Sequence, residues 1–480
     1  MAASVIERKE FPMFIGGEWV RSAALRTIRL PYDGTPVGEV YDADSAAAER
    51  AVSAAQAGAA AMAGLPQYER AELLERMRRL LERDAAEFAL LVCYETGKPI
   101  RESRLEVDRS QQTLIASADA ARNLRGEVIP MEAAPIGKGR WGMTVREPLG
   151  VIGAITPFNF PLNLGLHKIG PALAAGNSVV HKPSGNTPLS ALRLARLIQE
   201  AGAPTGAYNV VTGSGAVLGP ALILDPRVAM ITFTGSVPVG EQIRAQVGLR
   251  RATLELGANS SVILEPDCDL DTMIPRCVTG SFAHSGQVCI SVQNIYVHEA
   301  IEKAFTDRFV AATQKLKIGH PLDDNTDVSS LITLEEAKRV EEWIERACSH
   351  GAQLLTGGKR QNATVEPTIL GRVPPEMEVC CREVFGPVVV LHSYKALQDA
   401  IDAVNASEYG LQAGICTREL GKAFQAARQL RVGGVIVNDV PAYRADHMPY
   451  GGVKKSGIGR EGPHFAVEEM TDLKLICWRG

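Results

Sequence analysis

The spacing of apolar residues changes several times along the chain and predicts a mixed α/β protein. Over residues 67–95 apolar side chains recur every three or four positions, which predicts one long amphipathic helix that Gly97 ends. Further helices are predicted over 44–63 and 105–124. A short hairpin with a Gly-Gly turn is predicted over 14–20.

From Gly150 onward, short apolar runs alternate with helical patterns. Thr187 is expected to cap a helix that begins with Pro188 and continues over 189–201. Alternation of strands and helices predicts a parallel sheet with a ligand at the carboxyl ends of its strands. Four such strands are predicted, at 151–155, 178–182, 208–211 and 230–233.

The fourth of these strands runs into a glycine turn, Thr234-Gly235-Ser236, ahead of a helix predicted over 237–247. Free N–H groups and the positive end of a helix favour a phosphate at such a turn. A purely structural turn is an equal alternative, because the spacing is not the usual GxGxxG. Lys182, at a strand end, could donate to the ribose hydroxyls of a dinucleotide, or it could be a solvated surface lysine.

Two extended segments lie outside this alternating pattern, at 126–146 and at 473–478. Exposed strands with free edges promote aggregation in a monomer. We therefore expect the two segments to pair across a subunit contact. The alternative is a tail packed on its own domain.

Composition narrows the class of protein. The 480 residues suffice for two or three domains, and 46% hydrophobic with 22% charged residues is ordinary for a globular protein. A net charge of −4 gives no reason to expect nucleic acid or an anionic membrane as partner. No apolar run approaches the length of a membrane span, and residues 1–10 do not form a secretory signal. Nine cysteines without a CxxC pair favour a reducing cytoplasm and no metal site.

Two residues are candidates for catalysis because of their side chains and their positions in the predicted elements. Cys289 lies on a short loop behind Gly286, which has no side chain to block a substrate. A lone cysteine is more often an inert buried residue than a nucleophile. Glu255 lies near the end of a strand predicted over 252–257, between two leucines, where its pKa should be raised toward that of a general base. The alternative is a glutamate that points to water.

Seven short motifs together resemble the aldehyde dehydrogenase superfamily, in the right order from about Phe14 to the end of the chain. The motifs are Phe158-Asn159-Phe160-Pro161, Lys182-Pro183-Ser184, Phe233-Thr234-Gly235-Ser236, Glu255-Leu256-Gly257, Gly286-Gln287-Val288-Cys289, Glu383-Val384-Phe385-Gly386-Pro387 and Pro449-Tyr450-Gly451-Gly452-Val453-Lys454-Lys455-Ser456-Gly457.

The resemblance implies oxidation of an aldehyde to an acid with NAD or NADP and without a metal. Cys289 would be the nucleophile, and the Asn159 amide with the Cys289 N–H would hold the oxyanion. Glu255 would activate the water that hydrolyses the thioester. Residues implied to bind the cofactor are Ile155, Thr156, Pro157, Phe158, Lys182, Ser184, Gly185, Gly215, Phe233, Gly235, Ser236, Leu256, Gly257, Glu383 and Phe385.

One departure from the family pattern concerns the choice of cofactor. Many NAD-preferring members carry a glutamate three residues after the lysine, where it repels a 2′-phosphate. Here that position is Gly185. We therefore expect NADP to be accepted, with Lys182 and Ser184 engaging the extra phosphate.

The substrate is expected to be a short polar or anionic aldehyde. Residues implied to line its pocket are Arg109, Arg444, Phe160, Asn163 and Ile290. The two arginines would clamp an anionic tail, or they would be salt-bridged structurally, for example Arg444 to Asp446. The segment 438–462 resembles a branch with lactaldehyde, succinate-semialdehyde and phosphonoacetaldehyde dehydrogenases, but Val288 replaces the arginine of some phosphate- and phosphonate-handling relatives.

The architecture implied is a Rossmann-like cofactor domain, an α/β catalytic domain and a small oligomerisation sheet, assembled as a homodimer or homotetramer. The alternatives are another enzyme, a cofactor-free thiol esterase that uses the same cysteine, and, from a different class, an inactive structural or binding protein. The expected divisions are 1–124 with 147–255 for the cofactor domain, 256–431 for the catalytic domain, 125–146 with 466–480 for the oligomerisation strands, and 432–465 for the substrate-mouth loop.

Overall fold

The computed structural model describes residues 10–480 and contains two large sheets flanked by helices. The expectation about a secretory signal falls mainly on residues 1–9, outside this range. The first large sheet has eight strands and is called the cofactor sheet below. Its strands in spatial order are Gly457–Ile458, Arg251–Glu255, Val228–Thr234, Val151–Ile155, Ser178–Lys182, Tyr208–Val210, Met13–Ile15 and Glu18–Val20.

The five central strands of the cofactor sheet are parallel, from Arg251–Glu255 across to Tyr208–Val210. They are nearly uniform apolar runs because helices cover both faces of the sheet. The chain order reverses between Val151–Ile155 and Val228–Thr234, where a parallel α/β sheet has its ligand crevice. The helices of this half are Ser45–Gly64, Gln67–Arg83, Ala85–Thr96, Ile100–Asn123, Asn163–Ala175, Leu189–Glu200, Gly215–Ile223 and Val237–Gln246.

The second large sheet, called the catalytic sheet, begins at Ser261, shortly after the chain leaves the cofactor sheet at Glu255. Its strands in spatial order are Gln353–Thr356, Thr368–Gly371, Val388–Tyr394, Asn294–His298, Ser261–Leu264, Gln412–Cys416 and Gly434–Val437, and all but the first are parallel. The remaining helices are Leu270–Phe282, Glu302–Thr313, Leu334–Ser349, Glu378–Cys381, Leu397–Ala406, Leu420–Gln429 and Pro463–Glu469. The mixed α/β fold class is therefore confirmed.

Smaller sheets complete the fold. Strands Glu10–Phe11, Pro36–Tyr41 and Leu25–Arg29 form one, and Arg360–Gln361 with Thr364–Val365 another. A third, called the projecting sheet, contains Thr471–Arg479, Arg140–Pro148 and Val128–Ile129.

The two long strands of the projecting sheet pair with each other, antiparallel, from Thr471 with Pro148 to Arg479 with Arg140. The two segments therefore pair with each other within the chain, and the expectation that they meet another subunit stays a prediction. Trp141 and Trp478 remain 74% and 51% exposed, which leaves the sheet with apolar surface.

The single helix expected over 67–95 is wrong. The structure has two helices, Gln67–Arg83 and Ala85–Thr96, separated at Asp84 (φ −101°, ψ 15°). The Asp84 carboxylate accepts hydrogen bonds from Arg83 and Arg193, and aspartate favours helix ends over helix interiors.

Thr187 does not cap the following helix, which begins at Leu189 after Pro188. The Thr187 hydroxyl is buried without a hydrogen-bond partner among residues 10–480. Instead, the Glu95 carboxylate accepts the N–H groups of Leu189 (2.6 Å) and Ser190 (3.2 Å). A side chain from a distant helix thus caps this N-terminus.

In the range from residue 10 to 480, no helix combines the length and apolar character that crossing a membrane requires. The same range contains no group of three or more His, Cys, Asp or Glu side chains placed to hold a metal ion.

Candidate active site

A cavity of about 730 Å³ lies where the cofactor sheet reverses its strand order, and it extends to the loops of the catalytic sheet. Asn159, Glu255 and Cys289 all line it, although they are far apart in the sequence. Asn159 lies in the turn after strand Val151–Ile155, and Glu255 ends strand Arg251–Glu255. Because both strands are parallel members of one sheet, their ends meet at the same edge.

The loop that carries Cys289 depends on unusual backbone conformations. His284 and Ser285 have φ of 48° and 54°, in the left-handed region that costs energy for residues other than glycine. Gly286 has φ of 73°, and a Cβ on it would lie 2.1 Å from the Gly386 carbonyl oxygen. Only glycine fits there, so the loop is held close against its neighbour.

Hydrogen bonds fix this loop relative to Asn159, the predicted oxyanion donor. The Asn159 side-chain amide donates to the Gln287 carbonyl at 2.9 Å, and the Gln287 side chain accepts from the Ile332 N–H at 2.9 Å. The Ser285 hydroxyl donates to the Ser329 carbonyl at 2.9 Å. The amide of Asn159 is therefore anchored two residues before the sulfur of Cys289.

The Cys289 sulfur lies 2.7 Å from the Tyr450 hydroxyl. Burial raises the pKa of the Cys289 thiol to about 11, while the Tyr450 hydrogen bond and the positive charge of Arg444 act to lower it. The protein thus supplies two groups that favour the thiolate against the cost of burial. Sequence reasoning missed Tyr450, although it is part of one of the motifs quoted above.

Glu255 is only 3% exposed, so the alternative of a glutamate that points to water is wrong. Neither of its carboxylate oxygens has a hydrogen-bond partner within the described range. Burial, and then the nearby Glu461, raise the pKa of Glu255 well above its usual value, and Lys168 and Arg444 oppose this shift. A raised pKa suits a residue that must take a proton from water.

A buried charge network lies next to Glu255. Lys168 donates to Glu461 at 2.6 Å and to Thr234 at 2.7 Å, and Arg444 donates to the other oxygen of Glu461 at 3.1 Å. Sequence reasoning missed Lys168 and Glu461. The signal for Lys168 was a charged residue within the otherwise apolar helix Asn163–Ala175.

Every residue predicted to contact the cofactor lines the cavity, and Asn186, Glu336 and Arg339 line it as well. Lys182 is only 7% exposed and donates to the Pro183 carbonyl at 3.2 Å, so it is not a solvated surface lysine. Ser236 begins helix Val237–Gln246 without a side-chain cap, which leaves the helix N-terminus available to an anion.

The end of the cavity near Cys289 is lined by Glu383, Phe158 and Phe385, the residues that could hold a nicotinamide riboside. Glu383 accepts the Ala258 N–H at 3.0 Å, and burial raises its pKa to about 7. A Cβ on Gly257 would lie 2.2 Å from a Glu383 oxygen, so that glycine makes room for the carboxylate. The rings of Phe158 and Phe385 meet edge to face, 5.6 Å apart, and form an apolar wall.

The predicted substrate residues occupy a different region, and none of the five lines this cavity. Arg109 donates to Asp446 at 2.8 and 3.2 Å, and Asn163 donates to the same carboxylate at 3.0 Å. Arg444 pairs with Glu461, so the suggested Arg444–Asp446 salt bridge is wrong.

Arg444 is nevertheless close to the Cys289 sulfur. Its guanidinium carbon lies 3.6 Å from the centroid of the Tyr450 ring, and its Nε is buried without a hydrogen-bond partner in the part of the chain described. Ile290 packs in the same cluster as Tyr450, and Phe160 lies under Arg109 at 5.9 Å.

Comparison with known proteins gives matches over nearly the whole chain. The model of the aldehyde dehydrogenase family matches residues 19–476. A 3-sulfolactaldehyde dehydrogenase from Priestia aryabhattai is 48% identical over 473 residues, which cover 98% of this chain and 99% of that protein.

Two crystal structures are similar in fold and sequence. Aldehyde dehydrogenase 21 from Physcomitrella patens, in complex with the reaction product succinate, has a TM-score of 0.97, 38% identity and 99% coverage of both chains. A glyceraldehyde-3-phosphate dehydrogenase from Methanocaldococcus jannaschii, complexed with NADP, has a TM-score of 0.91 and 40% identity, and covers 95% of this chain and 99% of that one.

Proposed function

The chain belongs to the aldehyde dehydrogenase family, and we propose that its substrate is a short aldehyde with an anionic group. The family predicted from the motifs is thereby confirmed, as is oxidation of an aldehyde with NAD(P) in place of the esterase and inactive alternatives. The observation that carries the proposal is Arg444, a buried guanidinium beside Cys289 whose Nε has no hydrogen-bond partner among residues 10–480.

In the proposed reaction, the Cys289 sulfur attacks the aldehyde carbon, and the Asn159 amide with the Cys289 N–H stabilises the negative oxygen. Phe158, Glu383 and Phe385 would hold a nicotinamide, which would supply the hydride acceptor needed to convert the hemithioacetal on Cys289 to a thioester. Glu255 then takes a proton from water, whose oxygen attacks the thioester carbon and releases the acid. Glu383 would hold the nicotinamide ribose.

Charge supports an anionic substrate. Arg109 is already paired with Asp446, whereas Arg444 shares Glu461 with Lys168, so two cations face one carboxylate. The excess positive charge lies next to the sulfur that would hold the substrate. Sulfolactaldehyde, succinate and glyceraldehyde 3-phosphate, which are named for the three relatives, all carry an anionic group.

Space and charge at Gly185 support acceptance of NADP alongside NAD. A Cβ on Gly185 would meet no atom of residues 10–480 within 4 Å, which supports room for a 2′-phosphate. Lys182 and Ser184 line the cavity beside it. Arg26 donates to the Gly185 carbonyl at 2.7 Å and places a second cation nearby, although Asp42 pairs with it.

We also propose that the chain forms homodimers or homotetramers through the projecting sheet, whose Trp141 and Trp478 are exposed. A cytoplasmic location is proposed because all nine cysteines are unpaired.

The substrate proposal is tested with matched aldehydes, each with both nicotinamides. Sulfolactaldehyde is compared with lactaldehyde, and succinate semialdehyde with butanal, by the appearance of reduced nicotinamide. The wild type should show higher kcat/KM for the anionic member of each pair. Cys289→Ala should abolish oxidation of all four.

The role of Arg444 is tested by the ratio of kcat/KM for the anionic aldehyde to kcat/KM for its neutral counterpart. Loss of a hydrogen bond to a charged group costs about 1.5–3 kcal/mol, so Arg444→Gln should lower the anionic-to-neutral ratio about tenfold to hundredfold. Arg360→Gln, which removes an arginine paired with Glu341 on the catalytic half, is the matched control. An unchanged ratio in Arg444→Gln would contradict the proposal.

A further inference from the structure

The Tyr450 hydroxyl is rigidly placed against the Cys289 sulfur. Tyr450 is 2% exposed, and its ring packs in a cluster with Ala258, Ile290 and Tyr409. Its backbone forms a bridge with Glu461, with N···O distances of 2.7 and 3.1 Å. The 2.7 Å contact with the sulfur is therefore fixed from both the side chain and the main chain.

Four charged or titratable groups act on the Cys289 sulfur. Glu383 and Glu255 carry negative charge when ionised and disfavour a thiolate, whereas Tyr450 and Arg444 favour it. Arg444 lies over the Tyr450 ring, where a guanidinium polarises the phenol and makes its O–H a better donor.

The phenol is suited to donate in every state of the reaction. Burial, followed by the charge of Cys289, raises the pKa of Tyr450 well above its ordinary value, with Arg444 opposing. The hydroxyl therefore keeps its proton across the working pH range. When Cys289 is a thiol either atom can donate, but when it is a thiolate only the phenol can.

We propose that the Tyr450 hydroxyl donates a hydrogen bond that stabilises the Cys289 thiolate, with Arg444 strengthening it through the aromatic ring. The thiol proton leaves to solvent, and Tyr450 keeps its own proton. Once the sulfur bonds to the substrate carbon it loses its negative charge and the hydrogen bond weakens, so each stabilised thiolate is somewhat less reactive. The net gain comes from the larger fraction of Cys289 that is thiolate at neutral pH. The proposal rests on Cys289 as the nucleophile.

The test measures the ionisation of Cys289 without any aldehyde. The full chain, with and without NADP, is alkylated with iodoacetamide over the neutral to alkaline range, and labelling of Cys289 is followed by peptide mapping. Tyr450→Phe keeps the ring, its packing and the contact with Arg444, and removes only the hydroxyl. Tyr409→Phe removes a hydroxyl from the same cluster and is the matched control.

We expect Tyr450→Phe to displace the pH profile of alkylation to higher pH and to slow labelling at neutral pH about tenfold to hundredfold. Tyr409→Phe should leave the profile unchanged. Superimposable profiles for Tyr450→Phe and wild type would overturn the proposal. So would slower labelling with an unchanged midpoint, which would assign the hydroxyl to access rather than ionisation. Failure of the anionic-substrate proposal would leave this result untouched, since no substrate is used.

Discussion

Gly185 offers a direct test of how the cofactor is selected. The residue lies two positions after Pro183, and its backbone is outside the left-handed region. A Cβ on it would meet nothing within 4 Å in the described part of the chain. Gly185→Glu therefore introduces a carboxylate without backbone strain or displaced neighbours. The new carboxylate would lie beside Lys182, where the proposed 2′-phosphate site is.

The expected loss of NADP affinity follows from the repulsion between the new carboxylate and the 2′-phosphate. A phosphate group carries about −1.5 to −2 charges at neutral pH. A carboxylate about 4 Å away repels each unit charge by about 1 kcal/mol in bulk water and about 4 kcal/mol at an effective dielectric constant of about 20. Since the cavity mouth is hydrated, a total of about 2–4 kcal/mol is reasonable, which weakens NADP binding about thirtyfold to several hundredfold. Pairing of the new carboxylate with Lys182 acts in the same direction.

NAD should respond differently, because a carboxylate accepts hydrogen bonds from ribose hydroxyls. We expect the dissociation constant of NAD to stay constant or fall. The ratio of the NADP dissociation constant to the NAD dissociation constant should therefore rise at least thirtyfold, which corresponds to the lower limit of about 2 kcal/mol for the repulsion. Titration calorimetry with each nicotinamide measures both constants. Gly185→Gln, with the same shape and no charge, is the control. Equal weakening of both nicotinamides, or an effect as large in Gly185→Gln, would refute the electrostatic reasoning.

Three further outcomes follow from the site and the fold. Glu255→Gln should keep a rapid burst of reduced nicotinamide and slow the steady state at least a hundredfold, measured by stopped flow, because it lacks a base for hydrolysis; an unaltered steady state would remove Glu255 from the mechanism. Burial would raise the pKa of Asp446, but His167 and Arg109 hold that pKa well below its ordinary value in the folded protein. The ionised Asp446 therefore stabilises the fold at any pH above the ordinary carboxyl pKa, and this contribution is lost as the pH falls through the lower pKa of the folded state. Asp446→Asn should therefore lower the free energy of unfolding by about 3–5 kcal/mol at neutral pH and by less in strong acid, as measured by denaturant titration. Thr187→Val should be neutral or stabilising, whereas Glu95→Gln should cost about 1–3 kcal/mol, and the reverse order in thermal unfolding would contradict the capping observed here.

The parts of the site that the sequence predicts are those that local pattern controls. Asn159 and Glu255 follow apolar strands, and parallel strands bring such positions to one edge of a sheet. The glycine turn at Gly235 also follows one of these parallel strands, so its position at the same edge is predicted by the same pattern. Cys289 differs, since its loop has no regular pattern, and only its motif singles it out from eight other cysteines.

The sequence does not predict which residues, far apart along the chain, form hydrogen bonds or salt bridges with each other. Asp84 ends a helix because Arg193 lies nearby in the fold, and Glu95 caps a helix in place of Thr187 because two distant segments are packed together. Local rules identify Thr187 as a good cap, but they carry no information about a carboxylate that arrives from another helix. The same limit applies to Asp446, because its near neighbour in the sequence is Arg444 but its partner in the fold is Arg109, from a distant helix.

The partner that Arg444 does take ties substrate charge to the chemistry of Glu255. With Lys168, Arg444 and an ionised Glu461, the network carries one excess positive charge, which ionisation of Glu255 cancels. An anionic substrate held by Arg444 would cancel the same charge and so favour protonated Glu255 while the hemithioacetal forms. Arg444 would thus act on two anions, the substrate and Glu255, and an anionic aldehyde would add to the effect of burial and Glu461 on the pKa of Glu255. The cation proposed to select the substrate would therefore also tune the pKa of the carboxylate proposed to activate water.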